Sequence, residues 1–358
     1  MKPSLPLARR SNTLSSSLGL GEKLFASSGE KKFAAAIEKG LKEVEAGLLG
    51  EVHFADEIAD VTTRYLLEAG GKRVRPVLTL LAAQLGTGNN DNVIKAAQAI
   101  EITHLASLYH DDVMDEAQMR RGVPSAQNVW GNSVAILTGD LLFARASKLV
   151  ATLGERALVL QANTFERLCL GQLHETLGPR PDEDPVEHYL QVLSDKTGSL
   201  IATAGEIGVL FSEASEDYIV PVRMFGEKVG VAFQLIDDII DMSTETDVTG
   251  KTAGTDLRAG VSTLPLLYLR EQARTDQDAA DLLTRIERDV NAALYGETDE
   301  ADLAAAVAEL RAHPVTARTL DEARRWASEA VAALAPLPAG PVKKALTRFA
   351  DSIVERSN

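Results

Sequence analysis

The 358-residue chain is long enough to bury a substantial core, as one large domain or two smaller ones. Its 37 lysines and arginines face 52 aspartates and glutamates, a formal charge of -15, which excludes a general nucleic-acid binder because such proteins need a basic surface to displace counterions. Any anionic ligand must therefore meet local positive charge or a bound cation, and the single cysteine, Cys169, excludes an intrachain disulfide and reads as core filler in a helical run.

In chain order, residues 1–30 are rich in Ser, Gly and basic groups without the apolar run of a signal peptide, and are expected to form a partly disordered leader. No run of about eighteen apolar residues follows, so no integral membrane segment is expected and the cytoplasm is the expected location. From Lys31 onward apolar residues recur at helical spacing, and Ala and Leu outnumber β-branched residues. Helices are predicted over Lys31–Leu49, Ala55–Ala69, Arg75–Leu85, Asp91–Glu116, Ser125–Leu153, Glu155–Leu177 and Pro185–Phe211. The series continues with Ser215–Met242, Ser262–Arg270, Asp276–Leu294, Glu300–Ala312, Pro314–Leu334 and Val342–Glu355. Breakers at Gly70-Gly71, Gly86 to Asn90, Gly178-Pro179 and Thr244 to Gly254 are too short for a domain linker, so residues 31–358 are expected to form one catalytic domain.

One acidic pattern occurs twice, as Asp111-Asp112-Val113-Met114-Asp115 and as Asp237-Asp238-Ile239-Ile240-Asp241. On a helix the first and last aspartates of each triplet stack on one face, with the middle one about 100° round. Carboxylates crowded onto one turn repel each other, and a cation relieves that cost. Mg²⁺ prefers oxygen ligands and is commonly held by one or two carboxylates, with water and substrate phosphate completing its shell. Two facing triplets would grip a diphosphate through bridging metals. A solvated acidic face is the bland alternative. Apolar sequence before each triplet, Ala106 to Tyr109 and Val231 to Ile236, places these charges instead at the rim of a core.

Basic groups lie near the carboxylates. The turn Gly70-Gly71-Lys72-Arg73-Val74-Arg75-Pro76 puts cations at a helix start, which suits a phosphate. Arg120-Arg121 follows the first triplet, and His104 lies seven residues before Asp111, on much the same helix face. Lys196-Thr197 within a helix and Gln234 before Asp237 are weaker signals. No Ser-His-Asp or Cys-His constellation stands out.

Together the Gly70–Pro76 turn, the Glu101–Arg121 run, Phe233–Asp241, and Gly250-Lys251 with Asp256-Leu257 closely resemble the trans-isoprenyl diphosphate synthases, the polyprenyl synthetase family, from about Lys31 to the end. The resemblance implies an all-α isoprenoid synthase fold, a single large helical bundle around a central cavity, usually as a homodimer. It implies a prenyltransferase that condenses isopentenyl diphosphate with an allylic diphosphate. Asp111, Asp112 and Asp115 with Asp237, Asp238 and Asp241 would bind Mg²⁺, three ions with substrate present. Arg120, Lys196, Thr197, Gln234 and Lys251 match positions near the allylic substrate, with Lys196 also counted among the catalytic groups, and Lys72, Arg75, His104 and Arg121 match the isopentenyl diphosphate site. One departure is visible: Val261-Ser262 precede Thr263-Leu264-Pro265, where the family often has a lysine.

Small side chains below the first triplet, Ser107 about 6 Å down the helix, Thr103 one turn further and adjoining Ala106, leave room for a growing chain. In the family such residues go with products longer than farnesyl diphosphate. A heptaprenyl to decaprenyl product is therefore expected, with geranylgeranyl as the shorter option. A terpene cyclase needs only one diphosphate site, which the second basic set argues against; a noncatalytic prenyl-diphosphate-binding subunit would tend to lose motif aspartates, and both triplets are intact.

Overall fold

The computed structural model describes residues 28–243, 254–258, 260–294 and 300–357. These residues are almost wholly helical and divide into two compact units. Of the described residues, the first comprises 28–166, 200–226 and 333–349, and the second 167–199, 227–243, 254–258, 260–294, 300–332 and 350–357. Lys251 lies outside the described residues.

The first unit is built on the helix Asp91–Met114, started by Asn90, whose side chain accepts a 3.0 Å hydrogen bond from the Val93 N–H. Val93, Ala97, Ile100, Ile102, Leu105 and Tyr109 are all buried, so apolar groups surround this helix and it runs through a core. It packs most extensively on the helix Asn132–Ala151. Gly139 permits the approach, since a Cβ there would lie 2.3 Å from His110 Nε2 and 3.2 Å from the Ala106 carbonyl. The helices Val74–Ala83 and Ser28–Glu51 cover other sides of it.

The second unit contains the helix Pro185–Leu193, begun by Asp184, whose Oδ1 accepts from the Val186 and Glu187 N–H groups at 2.9 Å. The helix Leu264–Gln272 packs on it and on Gln277–Leu294, which in turn contacts Glu300–Ala312. The helix Ile219–Asp241 carries the second triplet, and its residues from Glu227 onward belong to this unit.

Several local features depart from the sequence expectation. The first helix begins at Ser28, inside the expected leader. Gly131, at φ 86°, breaks the expected Ser125–Leu153 helix into Ala126–Trp130 and Asn132–Ala151. A π-helical turn, Ser194–Gly198, interrupts Pro185–Phe211, and a two-stranded ribbon pairs Met119–Arg120 with Val123–Pro124. Cys169 is exposed rather than packed in the core. No described helix is long and apolar enough to cross a membrane.

Candidate active site

The sequence-singled residues fall in both units and are described unit by unit. In the first, the triplet straddles a helix end. The helix stops at Met114, and Asp115 is its C-cap, with its N–H on the Asp111 carbonyl at 2.8 Å. Asp115 therefore still sits one i to i−4 step beyond Asp111, at the very end of the face that the spacing suggests. Three carboxylates at a helix C-terminus face the negative end of the helix dipole, and no basic residue occupies the last turn.

The ribbon that follows supplies the compensation. Its connecting residues, Arg121 and Gly122, have φ of 54° and 78°, as a two-residue hairpin turn of the right twist requires. Arg120 Nε then donates to Asp112 Oδ1 at 2.6 Å, while Arg121 Nη1 donates to the Leu66 carbonyl at 2.7 Å. Asp112 is fully buried, and burial pushes its carboxyl up against the pull of Arg120. Its Oδ2 is buried with no hydrogen-bond partner.

Arg73 and Arg75, two residues apart, have different fates. Arg73 is buried at the left-handed start of its helix (φ 53°) and donates to Glu45, Glu101 and the Gly70 carbonyl. Burial works against its charge, yet Glu101 and Glu45 outweigh it and the guanidinium stays above its ordinary range. Arg75 Nε has no partner, and burial lowers its guanidinium to about 10 despite Glu101 and Asp111. Arg121 is likewise lowered to about 10, first by burial. His104 is held well below its ordinary value by burial and by Arg75, Arg121, Arg120 and Arg73, so it is neutral at physiological pH. Gly71 makes the crowding possible, since a Cβ there would lie 2.6 Å from Arg73 Nη1 and 3.0 Å from Arg121 Cζ. Lys72 is exposed at the rim of this turn.

Arg73 and Arg120 are paired to acids, whereas Arg75 Nε has no partner and Arg121 donates to a backbone carbonyl, and both charges act on neutral His104. Below them Thr103, Ala106 and Ser107 are buried; Thr103 bonds the Ala99 carbonyl and Ser107 the His104 carbonyl, both at 2.9 Å.

In the second unit the triplet closes its helix intact, again with no basic residue in the last turn. Asp238 is buried, and its carboxyl is pushed up to about 8 by burial, with Asp256 and Asp237 adding to the rise and the Tyr189 hydroxyl, which donates to Oδ2 at 2.6 Å, opposing it. Asp237 Oδ1 meets Arg356 at 3.0 Å. Asp241 Oδ2 accepts from the Asp256 N–H at 3.0 Å. Gln234 is half-buried one turn before Asp237. Lys196 and Thr197 sit in the π-helical turn, and Lys196 Nζ donates to Glu175 at 2.5 Å.

These features test whether a divalent cation suits the residues present. Among the described residues no three carboxylate, imidazole or thiol groups gather into a closed cage. Each unit instead has an open group of hard oxygens at one helix C-terminus, the first with an orphaned buried carboxylate oxygen. That fits an ion which keeps part of its shell for water and phosphate.

Sequence reasoning missed Tyr189, which donates to Asp238, and Glu45 and Glu101, which accept from Arg73 beside the singled-out cations. Only Glu101 lay inside a highlighted run, and none carries a local signal that separates it from a surface polar group.

The family model described as polyprenyl synthetase matches residues 56–296. A nonaprenyl diphosphate synthase of Mycobacterium tuberculosis is 45% identical over 92% of this chain and 96% of its own length. A polyprenyl synthase of Caulobacter crescentus, crystallised with calcium and isoprenyl diphosphate, superposes with a TM-score of 0.80 at 33% identity, covering 92% of this chain and 98% of that one. A geranylgeranyl pyrophosphate synthase of Corynebacterium glutamicum, also with calcium and isoprenyl diphosphate, gives 0.77 at 40% identity, with 93% and 99% covered.

Proposed function

The chain belongs to the polyprenyl synthetase family, and from that premise we propose that it joins isopentenyl diphosphate to farnesyl or geranylgeranyl diphosphate and releases diphosphate. It is a prenyl-transferring enzyme of the all-α isoprenoid synthase fold. Its product is a medium- or long-chain all-trans polyprenyl diphosphate, in keeping with the nonaprenyl synthase that it matches over nearly its whole length.

One observation carries the condensing reading over a cyclase: a cluster of cations beyond what the carboxylates need. Arg75, with its buried and unpaired Nε, and Arg121 stand beside a neutral His104 that can offer a ring N–H to an anion. We assign Lys72, Arg75, His104 and Arg121 to the diphosphate of the isopentenyl substrate. Arg120, Lys196, Thr197, Gln234 and Lys251 are assigned to the allylic diphosphate. Asp111, Asp112 and Asp115, with Asp237, Asp238 and Asp241, would hold divalent cations, Mg²⁺ by their oxygen chemistry and three of them in the substrate complex. A bound cation supplies neutralisation of the diphosphate as it leaves.

The allylic C–O bond breaks and its electron pair departs with the diphosphate. Arg120 and Lys196 meet that growing negative charge, which lowers the barrier without a nucleophilic side chain. The isopentenyl double bond supplies the pair for the new C–C bond, and the neighbouring carbon loses a proton to the released diphosphate. Apolar walls exclude the water that would quench the cation. Thr103, Ala106 and Ser107 leave space for the lengthening hydrocarbon.

A homodimer in the cytoplasm completes the proposal. On the first unit Ile136, Leu137 and Leu141 are exposed along one helix and Leu158, Val159 and Phe165 along the next, an apolar face of the kind that a second copy covers. The test is turnover by the purified chain alone with Mg²⁺, isopentenyl diphosphate and farnesyl diphosphate, read by mass spectrometry. Products of more than four isoprene units are expected. No consumption of isopentenyl diphosphate would favour a noncatalytic binding subunit, and a product stopping at four units would make the chain a geranylgeranyl diphosphate synthase.

A further inference from the structure

A π-helical turn inside a helix is costly to form and persists only where surrounding contacts impose it. Here the turn Ser194–Gly198 carries Lys196 and Thr197, and the Ser199 N–H closes it on the Ser194 carbonyl, five residues back. Its surroundings in the second unit are unusually specific. Arg167 Nε donates to Asp195 Oδ1 at 2.8 Å, and its Nη1 and Nη2 reach Glu227 at 3.2 and 3.4 Å. Nη2 also lies 3.3 Å from Ser194 Oγ, which donates to Glu227 at 2.8 Å. Gln191 holds the other Asp195 oxygen at 2.8 Å, and Ser199 Oγ donates to the Asp195 carbonyl at 2.5 Å.

Two glycines bring the backbones close enough for this clamp. A Cβ on Gly171 would lie 2.7 Å from the Lys196 nitrogen and 3.1 Å from the Asp195 carbonyl carbon. A Cβ on Gly198 would lie 2.9 Å from the Glu227 carbonyl oxygen. Both clashes are with backbone, which cannot swing aside as a side-chain tip does. A plain α-helix through residues 194–198 would turn Lys196 and every later residue by about a quarter of a turn, because each residue advances about 100°.

We infer that Arg167, bridging Asp195, Ser194 and Glu227 with Gly171 packed beneath, is a positioning residue that holds the π-helical turn and so aims Lys196 and Thr197 at the allylic diphosphate. Arg167 itself touches no substrate in this account. The inference rests on the assignment of Lys196 and Thr197 made above. It goes further in naming what sets their direction, and in locating the cost of the turn in a four-residue polar clamp.

The test compares Arg167→Gln, Arg167→Lys, Gly171→Ala and Lys196→Ala in the full-length enzyme. KM is measured separately for the allylic and isopentenyl diphosphates, and amide hydrogen exchange is followed over residues 194–199. Arg167→Gln is expected to raise the allylic KM about tenfold, the consequence of one misplaced charge-assisted contact, and to leave the isopentenyl KM within about twofold. Arg167→Lys, which keeps the charge but loses the fork, should fall between, and Gly171→Ala should repeat the split with Arg167 intact. Faster exchange at residues 194–199 is expected in Arg167→Gln. A fall in kcat alone, or an equal rise in both KM values, would mean a merely structural Arg167 and overturn the inference. If Lys196→Ala leaves the allylic KM unchanged, the assignment of Lys196 fails. Exchange then decides the clamp separately: unchanged rates in Arg167→Gln reject it, and faster rates uphold it.

Discussion

The two aspartate triplets share one spacing and differ in almost everything around it. The first ends a helix and spills past it, and its middle carboxylate is clipped by Arg120 from the adjoining ribbon. The second lies wholly within its helix, and its middle carboxyl takes a hydrogen bond from a neutral phenol, with Asp237 and Asp256 pressing on it. One cluster carries a built-in guanidinium counter-charge and lies on the same unit as Arg75 and Arg121; the other has its middle acid pushed up to about 8, first by burial. A repeated motif thus stands in two electrostatic settings, because the neighbours decide how much of its charge is balanced.

The largest effect that sharpens this contrast comes from the arginines of the first cluster. Arg73→Met should destabilise the protein by about 3–5 kcal/mol in denaturant unfolding, because Glu101 is left buried without its partner. Arg75→Met should stay within about 1 kcal/mol of the parent while raising the isopentenyl KM. Equal stability losses in the two variants would erase the distinction between a structural and a ligand-binding arginine.

Ala106→Phe should shorten the product, as read by chromatography, and lower stability by about 1–3 kcal/mol because Ala106 has no exposed surface. An unaltered product distribution would remove Ala106 from the chain-length wall. In the second cluster Tyr189→Phe strips Asp238 of its side-chain donor, and the Mg²⁺ concentration for half-maximal rate should move by about threefold to tenfold. The same substitution has no reason to change the isopentenyl KM.

The smallest effect is a pH dependence outside both clusters. Burial raises the Glu206 carboxyl above its ordinary value, with Arg223 opposing. The folded state therefore holds this proton more tightly than the unfolded state, so its stabilising contribution is complete below about pH 4 and declines as pH rises through the folded value. Glu206→Gln should gain Tm relative to the parent as pH is raised from about 4 to 7. A difference independent of pH would show that Glu206 titrates normally.

Much of this architecture was legible in advance. The helices Glu155–Leu177 and Glu300–Ala312 fall on their expected bounds, because apolar periodicity and strong breakers agree there. The ribbon was not legible: two-residue strands have no periodicity, and Arg121-Gly122 is a weak hairpin signal without the usual Asn or Asp. The π-helical turn was hidden for another reason, since its cause lies in Arg167, Glu227 and Gly171, distant in sequence. Exposed Cys169 shows the limit of periodicity, which places a residue on an apolar stripe without saying whether anything within the chain covers that stripe. Motif residues such as Asp112 and Arg121 could be singled out from the sequence, and their polar surroundings, such as the Leu66 carbonyl on Arg121 or Tyr189 on Asp238, could not.

The most direct measurement is incorporation of labelled isopentenyl diphosphate by the parent, by Asp111→Ala and by Asp238→Ala, each across the same Mg²⁺ titration. Both substitutions should cut turnover by about 10³-fold, and excess Mg²⁺ should restore neither. Full turnover in either variant, or turnover in the parent that persists under chelator, would contradict the assignment of both triplets to one metal-assisted condensation.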